Sequence, residues 1–268
     1  MTPFHYIPGS IPLLISIPHA GTSLTKEVET GLTNEAKSLP DTDWHVKRLY
    51  QFALDMGAHM IVANYSRFVI DLNRPADDQP LYNTATTGLF PTTLFNGSPV
   101  YKDGQAPSAE TRKEYLKQIW IPYHQQIQSV LTQFKDEFGY AVLFDAHSIA
   151  SCIPRLFDGP LPDLNIGTNT DKSCKSQTVT ELKNYCLSQN YSWIINGRFK
   201  GGHITRAYGL PEQHQHAMQL ELAQTNYMTE KPPFSWDQKK ASQLMPVLKN
   251  IVTLFYQSVA EQYSQVSE

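Results

Sequence analysis

Short apolar runs alternate along the chain with longer stretches of helical period. Continuous apolar runs such as Ala141–Phe144 are typical of central strands that are covered on both faces. The predicted strands, most of them rich in branched or aromatic side chains, are Leu13–Ile17, His59–Ala63, Phe68–Leu72, Ala141–Phe144, Trp193–Asn196 and Met218–Leu222. This alternation predicts an α/β fold with a mixed, mostly parallel sheet flanked by helices.

The helical period is set by apolar residues three and four positions apart. Asp41 or Thr42 is the expected cap of the first helix, and Ser235 begins a capping-box pattern with Gln238 at the last. Pro122 is expected to kink or divide the second helix. The predicted helices are Thr42–Met56, Ser108–Phe138, Ser173–Leu187 and Ser235–Tyr263.

Two segments show neither the apolar runs of a strand nor the period of a helix. Pro75–Gly104 is crowded with Pro, Asn, Thr and Gly, and Ser151–Thr170 contains three prolines. Long irregular loops of compact domains commonly border the functional site, so we expect both segments at its mouth. The chain shows no repeat and no shift in composition that would mark a linker, which predicts a single domain over residues 1–268.

Composition narrows the classes of function. Apolar residues make up 41% of the chain and charged residues 18%, which is typical of a globular protein. The formal net charge of −3 offers no positive field for nucleic acid, so no nucleic-acid partner is expected. No apolar stretch approaches the roughly 20 residues of a membrane span, and no secretory signal is visible. Three scattered cysteines favour a reducing cytoplasm.

Polar side chains follow several of the predicted strands. His19 comes after Leu13–Ile17, Asn73 and Arg74 come after Phe68–Leu72, and His147 comes after Ala141–Phe144. Ligands of open α/β sheets bind outside the carboxyl ends of the strands, so residues at these ends converge. We therefore expect one shared pocket at this edge of the sheet.

Two histidines and a carboxylate are the usual protein ligands of a catalytic zinc ion, which keeps a fourth position open. His19 and His147 supply the imidazoles, and Asp43 is the preferred third ligand, with Asp41 as the alternative. Asp145 is placed to orient a ligand imidazole through its other ring nitrogen. The alternative is a structural role, which is more common for a lone histidine after a strand. If the residues do bind a metal, the ligand set does not separate zinc from cobalt, manganese or iron.

Glu221 is a candidate general base, because its immediate neighbours are apolar and a carboxylate in a dry pocket beside a metal accepts protons well. The alternative is a half-exposed strand with a polar face. Arg74 and Arg206 are candidates for binding a small dicarboxylate, since a guanidinium pairs with a carboxylate in bidentate fashion. Surface ion pairs are the alternative. His203 and Tyr208, in the segment that follows Gly201-Gly202, are further candidate substrate contacts.

Taken together, these motifs resemble the N-formylglutamate amidohydrolase family. The resemblance implies a zinc-carboxypeptidase-like (phosphorylase/hydrolase-like) fold and a divalent metal with Zn²⁺ as the expected ion. It also implies hydrolysis of N-formyl-L-glutamate to formate and L-glutamate in histidine breakdown. The motifs are Ile17-Pro18-His19-Ala20-Gly21, Asp41-Thr42-Asp43-Trp44, Asp71-Leu72-Asn73-Arg74, Asp145-Ala146-His147-Ser148, Gly201-Gly202-His203-Ile204-Thr205-Arg206 and Gln219-Leu220-Glu221-Leu222.

Carried over by motif, His19 and His147 match the metal histidines, Glu221 matches the base, and Asn73-Arg74 match a pair that holds a substrate carboxylate. Asp43 has no such match, because the carboxypeptidase pattern places its acidic ligand three residues after the first histidine. The alternatives are a related zinc deacylase or carboxypeptidase acting on another N-acyl amino acid, and a non-catalytic module that binds a small amino acid. The oligomeric state stays open.

Overall fold

The computed structural model describes residues 1–81 and 86–264. Within these residues seven strands form one mixed sheet in the spatial order β1-β3-β2-β4-β7-β5-β6. The central strands β3, β2, β4 and β7 are mutually parallel, β1 and β5 run antiparallel to their central neighbours, and β6 is parallel to β5. The strands are β1 Phe4–Ile7, β2 Leu13–Ile17, β3 His59–Ala63, β4 Ala141–Ile149, β5 Leu164–Gly167, β6 Trp193–Ile195 and β7 Gln215–Ala223. The predicted mixed, mostly parallel sheet is confirmed.

The two faces of the sheet bury separate apolar cores. Along β2, Leu13, Ile15 and Ile17 belong to one core and Leu14 to the other, because alternate residues of a strand point to opposite faces. Helices α6 and α8 contribute to the first core, and α5 contributes to the second. The helices are α1 Lys26–Gly31, α2 Val46–Leu49, α3 Phe52–Asp55, α4 Ala109–Tyr115, α5 Ile121–Phe138, α6 Ser176–Leu187, α7 His203–Tyr208 and α8 Gln238–Ser264.

Several strand predictions need correction. The predicted strand Phe68–Leu72 is wrong, because Val69 N donates to Ser66 O over 2.9 Å and the chain turns there. β4 and β7 extend beyond their predicted bounds, so His147 lies within β4 rather than after it. β1 was not predicted, and β5 lies inside the segment Ser151–Thr170 that was expected to be irregular.

The predicted helix Thr42–Met56 is also wrong as a single element. His45 has a φ of 63°, in the left-handed region, which interrupts the helical path and leaves the two short helices α2 and α3. Neither Asp41 nor Thr42 therefore caps a helix. The predicted cap at Ser235 is wrong as well, since α8 begins at Gln238 and the Asp237 side chain accepts from Lys240 N.

The second predicted helix is interrupted as expected before Pro122. A π-helical segment, Leu116–Trp120, joins α4 to α5 there. Ser108 caps α4 through a hydrogen bond that its side chain accepts from Thr111 N. Among the described residues, no helix combines the length and the apolar character that crossing a membrane requires.

Candidate active site

Three buried side chains meet at the carboxyl end of β2 and β4. His19 lies just after β2, His147 lies in β4, and Asp43 lies in the turn before α2, where its backbone N–H donates to His19 O over 3.1 Å. Asp43 Oδ2 is 3.0 Å from His147 Nδ1 and 3.8 Å from His19 Nδ1. All three side chains are at least 96% buried. The structure therefore brings together the three predicted metal ligands.

The other ring nitrogen of each histidine is held by a second carboxylate. His19 Nε2 lies 2.7 Å from Asp71 Oδ1, and His147 Nε2 lies 2.9 Å from Asp145 Oδ2. A metal-binding histidine normally donates its free ring N–H to such a partner, which fixes the ring and leaves the opposite nitrogen for the ion. The candidate ligand atoms all lie within 4.8 Å of one another. This donor set fits a zinc ion.

Burial and neighbouring charges shift the pKa values of these side chains in different directions. Burial lowers the pKa of His19, with a further lowering from Arg67 that Asp71 opposes. Burial would also lower the pKa of His147, but Asp145 and Asp43 outweigh it and hold that pKa well above its ordinary value. His19 and Arg67 outweigh burial at Asp71 and hold its pKa well below the ordinary range. The Asp71 carboxylate therefore stays ionised beside the His19 imidazole.

Arg67 is a site residue that sequence reasoning missed. Its Nη2 donates to Asp71 Oδ2 over 2.6 Å, and its Nη1 lies 4.0 Å from Asp43 Oδ1. The guanidinium also lies over the ring of Phe95, 4.6 Å from its centroid. A basic and an acidic residue four positions apart, flanking an apolar run, were the signal that could have found this pair.

A cavity of about 60 Å³ opens beside the group, and its polar lining includes His19, Arg67, Arg74, His147, Arg198 and Glu221. Glu221 in β7 lies directly across from His147 in β4. Its Oε2 accepts from Gln219 Nε2 over 3.2 Å. Burial raises the pKa of Glu221 to about 8, although His147 opposes the shift. The structure therefore brings Glu221 into the same cavity as the two histidines.

Asn73 and Arg74 both line the cavity, but their side chains are used differently. Arg74 donates through Nε to Thr87 O over 2.7 Å. Asn73 Oδ1 accepts from Ile204 N over 2.8 Å, while its Nδ2 donates to Asp145 Oδ2 over 3.2 Å. The Asn73 amide is thus occupied in holding other site residues.

Arg206, His203 and Tyr208 are not among the described residues that line the cavity. Arg206 donates to the carbonyls of Gly201 and Leu81 over 2.9 and 3.2 Å. Arg198, which was not predicted, lies in the lining instead. The strand-end rule that found His19 does not apply to Arg198, because β6 is parallel to β5 and therefore runs antiparallel to β7 and the other central strands.

Asp41, the alternative third ligand, lies outside the histidine group. Its Oδ2 accepts from Phe95 N over 2.9 Å, and burial raises its pKa to about 6. It borders a second cavity of about 270 Å³, which shares Phe95 and Ser148 with the first. Between the two candidates, Asp43 is the one that the fold places with the histidines.

Both loops that were expected at the mouth of the site contribute residues to the cavity lining. Thr86, Thr87 and Phe95 come from the segment Pro75–Gly104, and Leu156 comes from Ser151–Thr170. Residues 82–85 of the first segment lie outside the described residues.

Comparison with known proteins defines the class as hydrolases of an amide bond. The chain is 56% identical over 245 residues to N-formylglutamate deformylase of Pseudomonas aeruginosa, which covers 91% of this chain and 92% of that protein. It is 54% identical over 258 residues to N-formylglutamate deformylase of Pseudomonas putida, which covers 96% and 97%. The profile of the N-formylglutamate amidohydrolase family matches residues 11–228, and the chain belongs to that family.

Solved structures show the same fold. The crystal structure of N-formylglutamate amidohydrolase from Ralstonia eutropha JMP134 superposes with a TM-score of 0.82 at 21% identity, covering 99% of both chains. A protein from Agrobacterium tumefaciens superposes with a TM-score of 0.73 at 14% identity, covering 96% of both chains. The predicted family is therefore confirmed by sequence, and the overall architecture is confirmed by structure.

Proposed function

We propose that the protein is a metal-dependent deformylase that hydrolyses N-formyl-L-glutamate to formate and L-glutamate. The observation that carries the proposal is the buried group of His19, Asp43 and His147, with Glu221 beside it in one cavity. The names of the two Pseudomonas relatives supply the substrate.

The proposed ion is Zn²⁺, held by Nδ1 of His19, Nδ1 of His147 and a carboxylate oxygen of Asp43. When bound, a divalent cation at this site polarises the substrate carbonyl and lowers the pKa of a water molecule. Asp71 and Asp145 keep both imidazoles turned with Nδ1 toward Asp43. The chain thus presents a preformed set of donors.

Glu221 carries the proton in this proposal. It accepts a proton from the water whose oxygen attacks the formyl carbon, and it then donates that proton to the glutamate nitrogen as the C–N bond breaks. Burial keeps its pKa near neutrality, where a carboxyl group exchanges protons in both directions. Arg67, which lines the same cavity, supplies fixed positive charge next to the developing negative charge on the formyl oxygen.

Selectivity would come from charge and size. Arg74 and Arg198 both line the cavity, and we assign the two carboxylates of the substrate to them. Arg206 donates to the backbone and is not among the described residues of this lining, so the proposal assigns no substrate carboxylate to Arg206. The small cavity favours a one-carbon acyl group over larger ones.

We extend the proposal to the domain, the cellular location and the metabolic role of the enzyme. The chain would form one catalytic domain over residues 1–268 with a zinc-carboxypeptidase-like (phosphorylase/hydrolase-like) fold. The enzyme would act in the cytoplasm on an intermediate of histidine catabolism. Support for the single domain comes from the one seven-stranded sheet that the described residues form.

The test is formate release from N-formyl-L-glutamate by the purified protein, before chelator treatment, after it, and after zinc is added back. Turnover that is lost with chelator and restored by zinc supports both the reaction and the metal. Chelator-resistant turnover would remove the metal from the proposal, while turnover of N-acetyl-L-glutamate alone would replace the substrate.

A further inference from the structure

The tripeptide Leu72-Asn73-Arg74 links two parts of the site. On one side Asn73 Nδ2 lies 2.9 Å from His147 Nε2 and donates to Asp145 Oδ2. On the other side Arg74 lines the cavity where we place a substrate carboxylate. The tripeptide belongs to no strand or helix, so ladder hydrogen bonds do not fix its position. Other contacts must hold it.

Each of its three carbonyl groups accepts a hydrogen bond from the helical layer behind the site. Leu72 O accepts from His124 Nε2 over 2.9 Å, Asn73 O accepts from His203 N over 3.3 Å, and Arg74 O accepts from Trp120 Nε1 over 2.9 Å. Two of these three donors are therefore aromatic side chains.

The protonation of His124 follows from its partners. Burial lowers its pKa to about 3, so the ring is neutral and carries one proton. A carbonyl only accepts, so that proton lies on Nε2, and Nδ1 accepts from the Tyr208 hydroxyl at 3.0 Å, a shorter contact than the 3.2 Å from that hydroxyl to His124 O. Tyr208 thus orients the ring that holds Leu72 O.

The position of Trp120 depends on the π-helical segment before α5. Pro122 has no N–H to continue the regular α-helical pattern, and the chain widens into π geometry over Leu116–Trp120. The Trp120 ring stacks on His124 with centroids 3.8 Å apart and an interplanar angle of 24°. The two donors, Trp120 and His124, therefore pack against each other.

We propose that Trp120, His124 and Tyr208 are positioning residues that fix the distance between Arg74 and the His19–Asp43–His147 group. This distance selects N-formylglutamate over N-formylaspartate, whose side chain is one methylene shorter. The inference rests on the proposed function. A displacement of about 1 Å in a site can cost around 100-fold in rate, and one methylene is typically worth about 10–200-fold in selectivity.

The experiment compares kcat/KM for N-formyl-L-glutamate and N-formyl-L-aspartate in wild type, Trp120→Phe and Tyr208→Phe. Trp120→Phe keeps a ring on His124 and removes the donor to Arg74 O. We expect the glutamate-to-aspartate ratio to fall by at least about 5-fold in both variants, within the typical range for one methylene. We also expect KM for the glutamate substrate to rise more than kcat falls.

Matched controls are Trp236→Phe, which removes an indole N–H that donates to Gln238, and Tyr185→Phe, which removes a hydroxyl bonded to Asn250. Both should keep the wild-type ratio. The ratio does not depend on the folded fraction, because both substrates meet the same active enzyme.

The outcomes separate the two proposals. If wild type hydrolyses neither substrate, the proposed function fails and the inference falls with it. If wild type hydrolyses N-formyl-L-glutamate but Trp120→Phe and Tyr208→Phe keep its ratio, the inference alone is overturned. A lower kcat with an unchanged ratio also overturns it, since that result indicates only structural support.

Discussion

Two buried histidines, His147 and His124, lie on either side of Asn73, and their pKa values shift in opposite directions. His147 has a carboxylate at each ring nitrogen, and its pKa is raised well above the ordinary value. His124 has a carbonyl at one nitrogen and a hydroxyl at the other, and its pKa is lowered to about 3. Burial disfavours the charged ring in both, so the partners decide the outcome. The same kind of side chain thus belongs to the candidate cation site at His147 and is a neutral support at His124.

The largest expected effect is on cation binding. His147→Gln should lose the bound cation, and turnover should fall by more than the roughly 10–100-fold typical for partners outside the ligand set. His124→Gln should retain the cation, because His124 contacts none of the three ligands through its ring nitrogens. Zinc content per folded chain, measured by mass spectrometry, checks both. Equal zinc content in the two variants would break the comparison.

Glu221→Gln should separate proton transfer from cation binding. We expect kcat to fall by about 10²–10⁴-fold, since this is the usual contribution of a positioned acid or base. Zinc content should stay at the wild-type level, because Glu221 is not in the His19–Asp43–His147 group. Steady-state formate release and metal analysis of the same preparation measure the two quantities. Wild-type kcat would exclude Glu221 as the base.

Asp71→Asn should weaken the cation site without removing a ligand. The amide oxygen can still accept from His19 Nε2, but the negative charge that polarises the ring is lost. We expect the Kd for zinc to rise by about 10–100-fold. Competition with a chromogenic chelator measures the Kd, and circular dichroism confirms the fold. An unchanged Kd in a folded variant would show that Asp71 does not tune His19.

The smallest expected effect concerns stability and pH. His124 takes up a proton near pH 6.5 in the unfolded chain but only near pH 3 in the folded one. The unfolded chain therefore binds more protons between these values, so stability falls as the pH is lowered. From pH 7 to pH 5 this group should cost about 2 kcal/mol.

The variant His124→Gln does not titrate, and it keeps an amide N–H for Leu72 O. Urea unfolding at pH 7 and pH 5 should show a loss of free energy of unfolding that is smaller than in wild type by that amount. Other titrating groups contribute to both proteins and cancel. Equal losses in the two proteins would contradict the neutral state assigned to His124.

Part of the site follows from one rule about strands. Ligand-binding residues gather at the carboxyl ends of parallel strands, and this rule led to His19 and His147, whereas it reached Arg74 only through a predicted strand, Phe68–Leu72, that the structure does not have. The rule does not reach Arg198, because β6 runs antiparallel to the central strands and only the tertiary fold brings Arg198 to the cavity.

Hydrophobic periodicity does not predict other features of the structure. Helical spacing over Thr42–Met56 does not show that His45 adopts a left-handed backbone, nor that Asp43 rather than Asp41 lies with the histidines. The apolar run Phe68–Leu72 looks like a strand, whereas the ion pair between Arg67 and Asp71 accompanies a turn. Tertiary contacts override local preference at both places.

The sheet order has a consequence for folding. Asp43 and His147 are 104 residues apart in the chain, and they meet only when β2 and β4 have paired. A chain that is still unfolded therefore offers no such set of donors, and any cation captured there stabilises the folded state alone. At 100 times its Kd, a ligand of this kind adds about 2.7 kcal/mol. Under the proposed function, a larger supply of the ion would therefore also lengthen the survival of the enzyme under heat or proteolysis, apart from any influence on its rate.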